Sequence, residues 1–503
     1  MESKALSILT VVNDFLTELN VKSYIVGGFV RDVLLCRDTA DIDIAIDSDA
    51  LEVSSKLAVE LNGRYVPLDE VNKVGRVVLS GGAWSSLGKQ WHLDISTIED
   101  DIEKDLGRRD FAINAMAVAI NTIISHQFSV GAIKSDIKPV GLIDPFDGWE
   151  DMKRGSVRVV SAAAFETDSA RLLRAVRLAV DLGFTIDGYT ASIIRHNSHL
   201  ITGVAGERIR EEFLRLLSPI GTQELLLYLD ELGLLTNIIP ELARTKDSAQ
   251  PKEHFWDVFH HTVRAVAAID FLLRRDKWEY VDEKVLSVVP WSPMLAQHFE
   301  QEVSHGSTRR IIMKLAALLH DIAKPLTKTI ETDGRMRFLG HAGAGATMAS
   351  DIMKRMRFSA KEIGLVEIMV KYHLRPVQMG QGIYPTDRAI YRYFRDTADA
   401  GIDILFLSLA DHLATRGPDL DLGGWREHSH VVEYVLAKRF EQENLVVSPK
   451  LVSGHDLLDT FGLSPGPKVG EILESVREAQ VAGEVITRED ALAFVRKELL
   501  KKK

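Results

Sequence analysis

An α/β head followed by all-α segments is the fold class the sequence predicts, and three observations predict it. Strand-like apolar runs, Tyr24-Ile25-Val26-Gly27-Gly28, Asp41-Ile42-Asp43-Ile44-Ala45-Ile46 and Trp91-His92-Leu93-Asp94-Ile95, alternate with helical patterns and glycine turns only within residues 1–150. From about residue 155 the strand signals give way to apolar residues at three- and four-residue steps, as in Ser169–Leu182 and Glu207–Leu217. A chain of 503 residues, 46% of them hydrophobic, is long enough for about three or four domains with cores of their own.

The order of elements follows the same signals. Leu6, Leu9, Val12, Phe15, Leu16 and Leu19 make an amphipathic first helix, and Asp14 and Glu18 interrupt the apolar run that a signal peptide needs. Residues 1–150 form the head and 151–245 a helical neck. The polar stretch Arg244–His254 marks a boundary, and a second helical domain occupies 246–430. Within it, residues 276–306 carry Pro290 and Pro293 and are expected to form a surface loop. A helical tail, 431–503, turns at Gly462–Pro467 and ends on the basic run Lys501–Lys503. No internal repeat of solenoid period occurs.

Sixty-one Lys plus Arg against seventy-two Asp plus Glu leave a net charge of −11, which excludes a generic polycation. Nucleic acid remains a possible partner, since a local basic patch suffices to bind it. The single cysteine, Cys36, rules out an intramolecular disulfide, and no apolar run is long enough to span a bilayer. A soluble, cytoplasmic protein is expected.

Chemistry is concentrated in the head's carboxylates. Asp41 and Asp43 are separated by one residue of a strand and share a face; Asp94 lies in a second strand of the same character. Three carboxylates converging on one sheet edge could hold two Mg2+ ions, lowering the pKa of an attacking hydroxyl and neutralising a leaving pyrophosphate. Gly27-Gly28 follows a strand and opens the helical segment Val30-Arg31-Asp32-Val33. That turn would let a triphosphate approach backbone N–H groups at the positive end of a helix.

Gly27-Gly28-x-Val30-Arg31-Asp32 with Asp41-x-Asp43 downstream resembles the class II tRNA nucleotidyltransferase and bacterial poly(A) polymerase family. Later motifs follow in the family's order. Arg108-Arg109-Asp110-Phe111-Ala112-Ile113-Asn114 resembles its Arg-Arg-Asp-Phe-Thr-Ile-Asn, and Asp144-Pro145-Phe146-x-Gly148 the segment joining head to neck. Leu172-Leu173-Arg174-Ala175-Val176-Arg177 with Leu182-Gly183-Phe184 resembles the neck helix, and Glu207-Arg208-Ile209-Arg210-Glu211-Glu212 the helix beyond. The resemblance covers residues 20–245. It implies a polymerase-β-like head with a small mixed sheet, and contacts from Gly27, Gly28, Arg31, Arg109, Asp110 and Asn114 to the incoming nucleotide.

Asp168 and Arg171 stand one helical turn apart and can read one base edge together. Cytosine and adenine both present an amine beside an unprotonated ring nitrogen, which suit an aspartate acceptor and an arginine donor; guanine and uracil do not. In the family this pair admits CTP and ATP. Arg174 and Arg177 continue the stripe toward nucleotide phosphate or RNA. Four departures stand out: Thr167 replaces a glutamate, Ala112 a threonine and Cys36 a glycine. The stretch from Asp94 to Arg108 is also shorter than in many enzymes that add all of CCA, so addition of CC alone or A alone stands as an alternative to the expected CCA addition or repair.

The apolar run Arg310–Lys324 carries an adjacent His320-Asp321 and resembles the HD phosphohydrolase domain. The resemblance implies metal ligands His261, His320, Asp321 and Asp411, and His341 and His373 extend the set to a possible two-metal centre. His254, His260 and His412 lie beside these positions. Imidazole and carboxylate donors suit manganese, nickel, magnesium or iron. The expected function is therefore transfer of CMP and AMP from CTP and ATP to the 3′ end of tRNA. Asp41 and Asp43 hold Mg2+, Asp94 is a third carboxylate, and Arg208, Arg210 and Arg215 contact RNA phosphates. Poly(A) synthesis is the nearest rival. A metal phosphohydrolase whose head only binds RNA is the rival from another class.

Overall fold

The computed structural model describes residues 3–81, 90–125, 128, 133, 137–278, 280, 283–379, 384–444 and 450–501; Lys502 and Lys503 of the basic run lie outside them. The chain divides into two compact units, one of residues 1–204 with 231–237 and one of 205–230 with 238–503. No helix among the described residues is long and apolar enough to cross a membrane.

In the first unit six strands form one mixed sheet: β1 (Ser23–Val26), β2 (Asp41–Ile46), β3 (Arg64–Asp69), β4 (Val74–Leu79), β5 (Trp91–Thr97) and β6 (Ala117–Ala119), in the order β3-β4-β5-β2-β1-β6. β2 and β5 are parallel and the other pairs antiparallel. The period-two pattern of β5 buries Trp91, Leu93 and Ile95 and leaves His92 and Asp94 on the other face. β2 likewise buries Ile42, Ile44 and Ile46. Because a one-residue slip would turn those isoleucines to the opposite face, the register is strongly held: Asp41 lies opposite His92, and Asp43 opposite Asp94. The helix Arg171–Leu182 buries Leu172, Leu173, Ala175, Val176 and Leu178, and stops at Gly183, whose φ of 67° closes the last turn.

The second unit is helical. Its central helix, Arg309–Leu319, is buried along its whole length, among the helices Val258–Leu272, Ala360–Tyr372 and Gly401–Arg416. Lys314 on that helix donates to Leu217 O, Pro219 O and Thr222 Oγ1 (3.1, 2.8 and 2.8 Å) and pairs with Asp270 at 2.5 Å. The helix Gly206–Leu217, with Arg208, Arg210 and Arg215, belongs to this unit.

The described residues of 276–306 are not the surface loop their prolines suggest. Pro293 opens the helix Pro293–Glu300, where its missing N–H costs nothing, and Ser292 Oγ accepts from Leu295 N (3.3 Å). That helix buries Leu295 and Phe299, the latter edge-on to Phe406. In the tail, the helices Gly454–Phe461, Pro467–Val481 and Arg488–Lys501 enclose a core of their own around Leu457, Ile472, Val476 and Val495.

Candidate active site and metal centre

β2 and β5 deliver the head's carboxylates to one sheet face. His92 Nδ1 lies 2.9 Å from Asp41 Oδ1. Asp94 is forked by Arg76, with Nε to Oδ1 at 2.6 Å and Nη2 to Oδ2 at 2.7 Å. Asp43 is lifted above the usual carboxylate pKa. Loss of water around it is the main cause, opposed by Arg109 and Arg174 and reinforced by the negative charges of Asp94 and Asp41. Asp43, short of water and beside the negative charges of Asp94 and Asp41, is an oxygen donor that a hard cation such as Mg2+ would relieve.

Gly27 explains how the turn comes so close. At φ 72° a side chain is strained, and a Cβ there would sit 2.6 Å from Asp43 Oδ2 and 2.8 Å from Arg109 Nη1. Beyond it, Arg31 Nη1 donates to Asn114 Oδ1 (2.6 Å), and its guanidinium pairs with Asp32 at 2.8 Å. Asn114 Nδ2 donates in turn to Asp110 Oδ1 (3.1 Å), which also receives Phe111 N (2.8 Å); Arg174 Nε donates to Asp110 Oδ2 (2.6 Å). Burial pushes Asp110 up, but Arg174, Asn114 and the Phe111 N–H outweigh it and hold the carboxyl below its usual value.

Asp168 follows the helix Ala163–Thr167 in an extended conformation, and its Oδ1 accepts from Ala170 N (3.2 Å). The Arg171 guanidinium donates to Ala164 O and Arg108 O, both at 3.3 Å, so backbone carbonyls fix its plane. Arg177 is buried and donates to Asp181 (3.0 Å). In the second unit Arg210 is committed inward, to Glu362 (2.8 Å) and over the Phe358 ring, whereas Arg208 is exposed and Arg215 makes an exposed pair with Glu211 at 2.8 Å.

All six anticipated ligands of the second unit meet. His261, His320, Asp321 and Asp411 form one group whose ligand atoms lie within 4.8 Å of one another, and Asp321, His341 and His373 form another. Asp321 joins them: Oδ2 lies 3.4 and 3.2 Å from the Nε2 atoms of His261 and His320, and Oδ1 lies 3.3 Å from that of His341. His320, His341 and His373 each direct Nδ1 at a backbone carbonyl, of Ala317, Phe338 and Val370, all at 2.7 Å. That bond fixes the ring and presents Nε2 to a cation. Lys324 Nζ lies 2.6 Å from Asp321 Oδ2, a cation already beside the buried carboxylate. Buried imidazoles and carboxylates so arranged fit one or two divalent ions. Burial pulls His320 down, but Asp321 and Asp411 override it and hold the ring up at about 10.

Sequence reasoning missed Arg76 and Lys324. Arg76 is the lone charge of Val74-Gly75-Arg76-Val77-Val78-Leu79, and a single charge at an outward position of an apolar strand was the signal available.

Fold and site together define a nucleotidyltransferase head joined to a helical HD domain. Residues 23–81 and 83–158 match the family model described as "Poly A polymerase head domain", 183–246 match "Probable RNA and SrmB- binding site of polymerase A", and 281–416 match "HD domain". His261, which the sequence resemblance already singles out, lies outside the last range and joins the group in the folded structure. The chain is 31% identical over 480 residues to the A-adding tRNA nucleotidyltransferase of Deinococcus radiodurans, covering 94% of each, and belongs to the tRNA nucleotidyltransferase family. It is also 31% identical over 482 residues to the CC-adding tRNA nucleotidyltransferase of Thermus thermophilus, covering 93% of this chain and 92% of that one. A solved Thermotoga maritima CCA-adding enzyme complexed with tRNA shares the fold, with a TM-score of 0.60 at 21% identity, over 99% of this chain and 96% of that one.

Proposed function

We propose that the chain extends the 3′ end of tRNA with CMP or AMP drawn from CTP or ATP, and that it completes only part of the CCA sequence. The observation that carries the reading is the β2–β5 register, which sets Asp43 against Asp94 on one face beside the close turn at Gly27. Asp41 and Asp43 would hold magnesium through their carboxylate oxygens, and the ion would lower the pKa of the attacking 3′-hydroxyl and neutralise charge on the departing pyrophosphate. The hydroxyl oxygen bonds to the α-phosphorus as the bond from that phosphorus to the oxygen bridging the β-phosphate breaks; pyrophosphate leaves and the hydroxyl proton passes to solvent.

Arg31 and Arg109 face the phosphates. Asp110 acts through others, tying Asn114 and Arg174 to one carboxylate. Asp168 and Arg171 read the base edge shared by cytosine and adenine, and the carbonyls of Ala164 and Arg108 keep Arg171 in place while they do so. Arg208 and Arg215 meet RNA phosphates, so affinity falls with salt.

Two observations support a partial activity. Only Ile98–Asp101 separates β5 from the helix Ile102–Gly107, and Arg108–Glu99 (2.7 Å) and Lys104 N–Asp101 (2.8 Å) tie this segment down. Both relatives compared above carry names that specify one part of CCA. The test supplies magnesium, CTP and ATP with tRNAs ending at the discriminator base, at C and at CC, followed by sequencing of the 3′ ends. Arrest at CC, or addition of A to the CC end alone, is expected. Completion of CCA on all three overturns the partial reading, long A tails indicate poly(A) synthesis, and no addition overturns the reading altogether.

The second unit is a metal-dependent phosphohydrolase for phosphate esters in the same reading, supported by five buried candidate ligands and the half-buried Asp411, arranged in two groups that share Asp321. Hydrolysis of a phosphate-ended or cyclic-phosphate-ended RNA that survives Asp43→Ala and is lost in His320→Ala is expected; hydrolysis unchanged by His320→Ala rejects it.

A further inference from the structure

Asp43, Asp94 and Arg76 stand in one row across three adjacent strands, because Asp94 is the register partner of Asp43 on β2 and of Arg76 on β4. Neighbouring strands lie about 4.8 Å apart, so three side chains on the same face of such a row are within reach of one another. Two of them would be carboxylates side by side, with Asp41 two residues along. Arg76 resolves that repulsion in one direction only, since its fork takes both oxygens of Asp94 and none of Asp43. A bidentate guanidinium–carboxylate pair is planar and strong, and it leaves Asp94 little freedom to turn toward β2. Arg76 and Asp94 are about a quarter to a third exposed, so the pair is neither locked in the core nor loose in solvent.

We propose that Arg76 is a positioning residue of the head: by forking both oxygens of Asp94 it holds that carboxylate out of the metal-ligand set, leaves cation binding to Asp41 and Asp43, and thereby sets the cation affinity of the site. The proposal rests on reading the head as the nucleotidyl-transfer site. It assigns Asp94 a different part from that of a third ligand. With the arginine in place the site presents Asp43 and the His92-contacted Asp41 to a cation, and Asp94 neutralised. Without it, Asp94 is released to turn to the cation.

The test compares wild type, Arg76→Gln, Arg76→Lys and Arg76→Gln/Asp94→Asn, each also in a His320→Ala/Asp321→Ala background so that Mn2+ taken up by the second unit is subtracted. Mn2+ binding is followed by loss of the free-ion EPR signal without nucleotide, alongside kcat and KM for CTP and ATP. Arg76→Gln is expected to tighten the head's Mn2+ binding by at least about fivefold, through the lost cation and the released carboxylate together. It should lower kcat more than it changes KM. The double variant, which removes both members of the pair, should return Mn2+ affinity to within about twofold of wild type. Arg76→Lys keeps the charge but cannot fork, and should fall between wild type and Arg76→Gln.

Unchanged Mn2+ affinity in Arg76→Gln overturns the proposal. So does a double variant that stays as tight as Arg76→Gln, since Arg76 would then act through its charge alone. Should Arg76→Gln fail to fold by thermal melting, Arg76→Lys alone carries the test, and wild-type affinity there overturns it. Asp43→Asn separates this failure from that of the underlying reading: retained nucleotide incorporation in that variant removes the nucleotidyl-transfer site itself.

Discussion

Asp110 and Lys314 show how single buried charges organise each unit. Asp110 takes Asn114, the Phe111 N–H and Arg174 on its two oxygens, and its carboxyl is held below the ordinary value. A depressed carboxyl contributes stability that is complete above its unfolded pKa and is lost as pH falls through the lower folded pKa. Asp110→Asn should therefore flatten the acid limb of the first unit's stability, read as the unfolding midpoint against pH, and should also weaken nucleotide use by freeing Asn114 and Arg174. Lys314 has four partners, one of them Asp270, with which it is buried. Lys314→Met should cost about 3–5 kcal/mol in denaturant unfolding of the second unit because it strands the Asp270 charge. Lys314→Met/Asp270→Leu should recover much of that loss.

Elements matter where the backbone must approach a charge. The turn between β1 and the helix Gly28–Leu34 works only with glycine at Gly27, whose missing side chain admits Asp43 and Arg109. Gly27→Ala should strain the turn by about 1–3 kcal/mol and displace the Asp43 carboxylate. Incorporation of CMP or AMP should be lost while the thermal unfolding of the second unit stays put, and retained incorporation would refute the close-turn argument. The helix Arg309–Leu319 illustrates the opposite case. It is buried all round, so its pattern could mark it as central without saying what surrounds it.

At the scale of the whole molecule, two compact units carry two candidate sites with no residue in common. Chelation should lower the unfolding temperature of the second unit in particular, since a bound divalent ion stabilises only the folded ligand set, and calorimetry with and without EDTA reads it. His320→Ala should remove that difference and leave nucleotide incorporation within about twofold of wild type, because changes at sites without shared partners add independently.

Much of this was legible in the chain. The six candidate ligands of the second centre were legible through the resemblance to the HD domain, whereas Asp41-x-Asp43, Gly27-Gly28 and the Arg109–Asn114 segment are local patterns. They could be read because side-chain alternation and helical spacing follow from backbone geometry alone. What the tertiary structure decided is pairing between distant segments. It set Arg76 against Asp94, turned Arg210 inward to Glu362, assigned Gly206–Leu217 to the second unit, and made Pro293 the start of a helix. Those outcomes depend on strand register and on which buried charges find partners, and both are settled by energies summed over residues far apart in the chain.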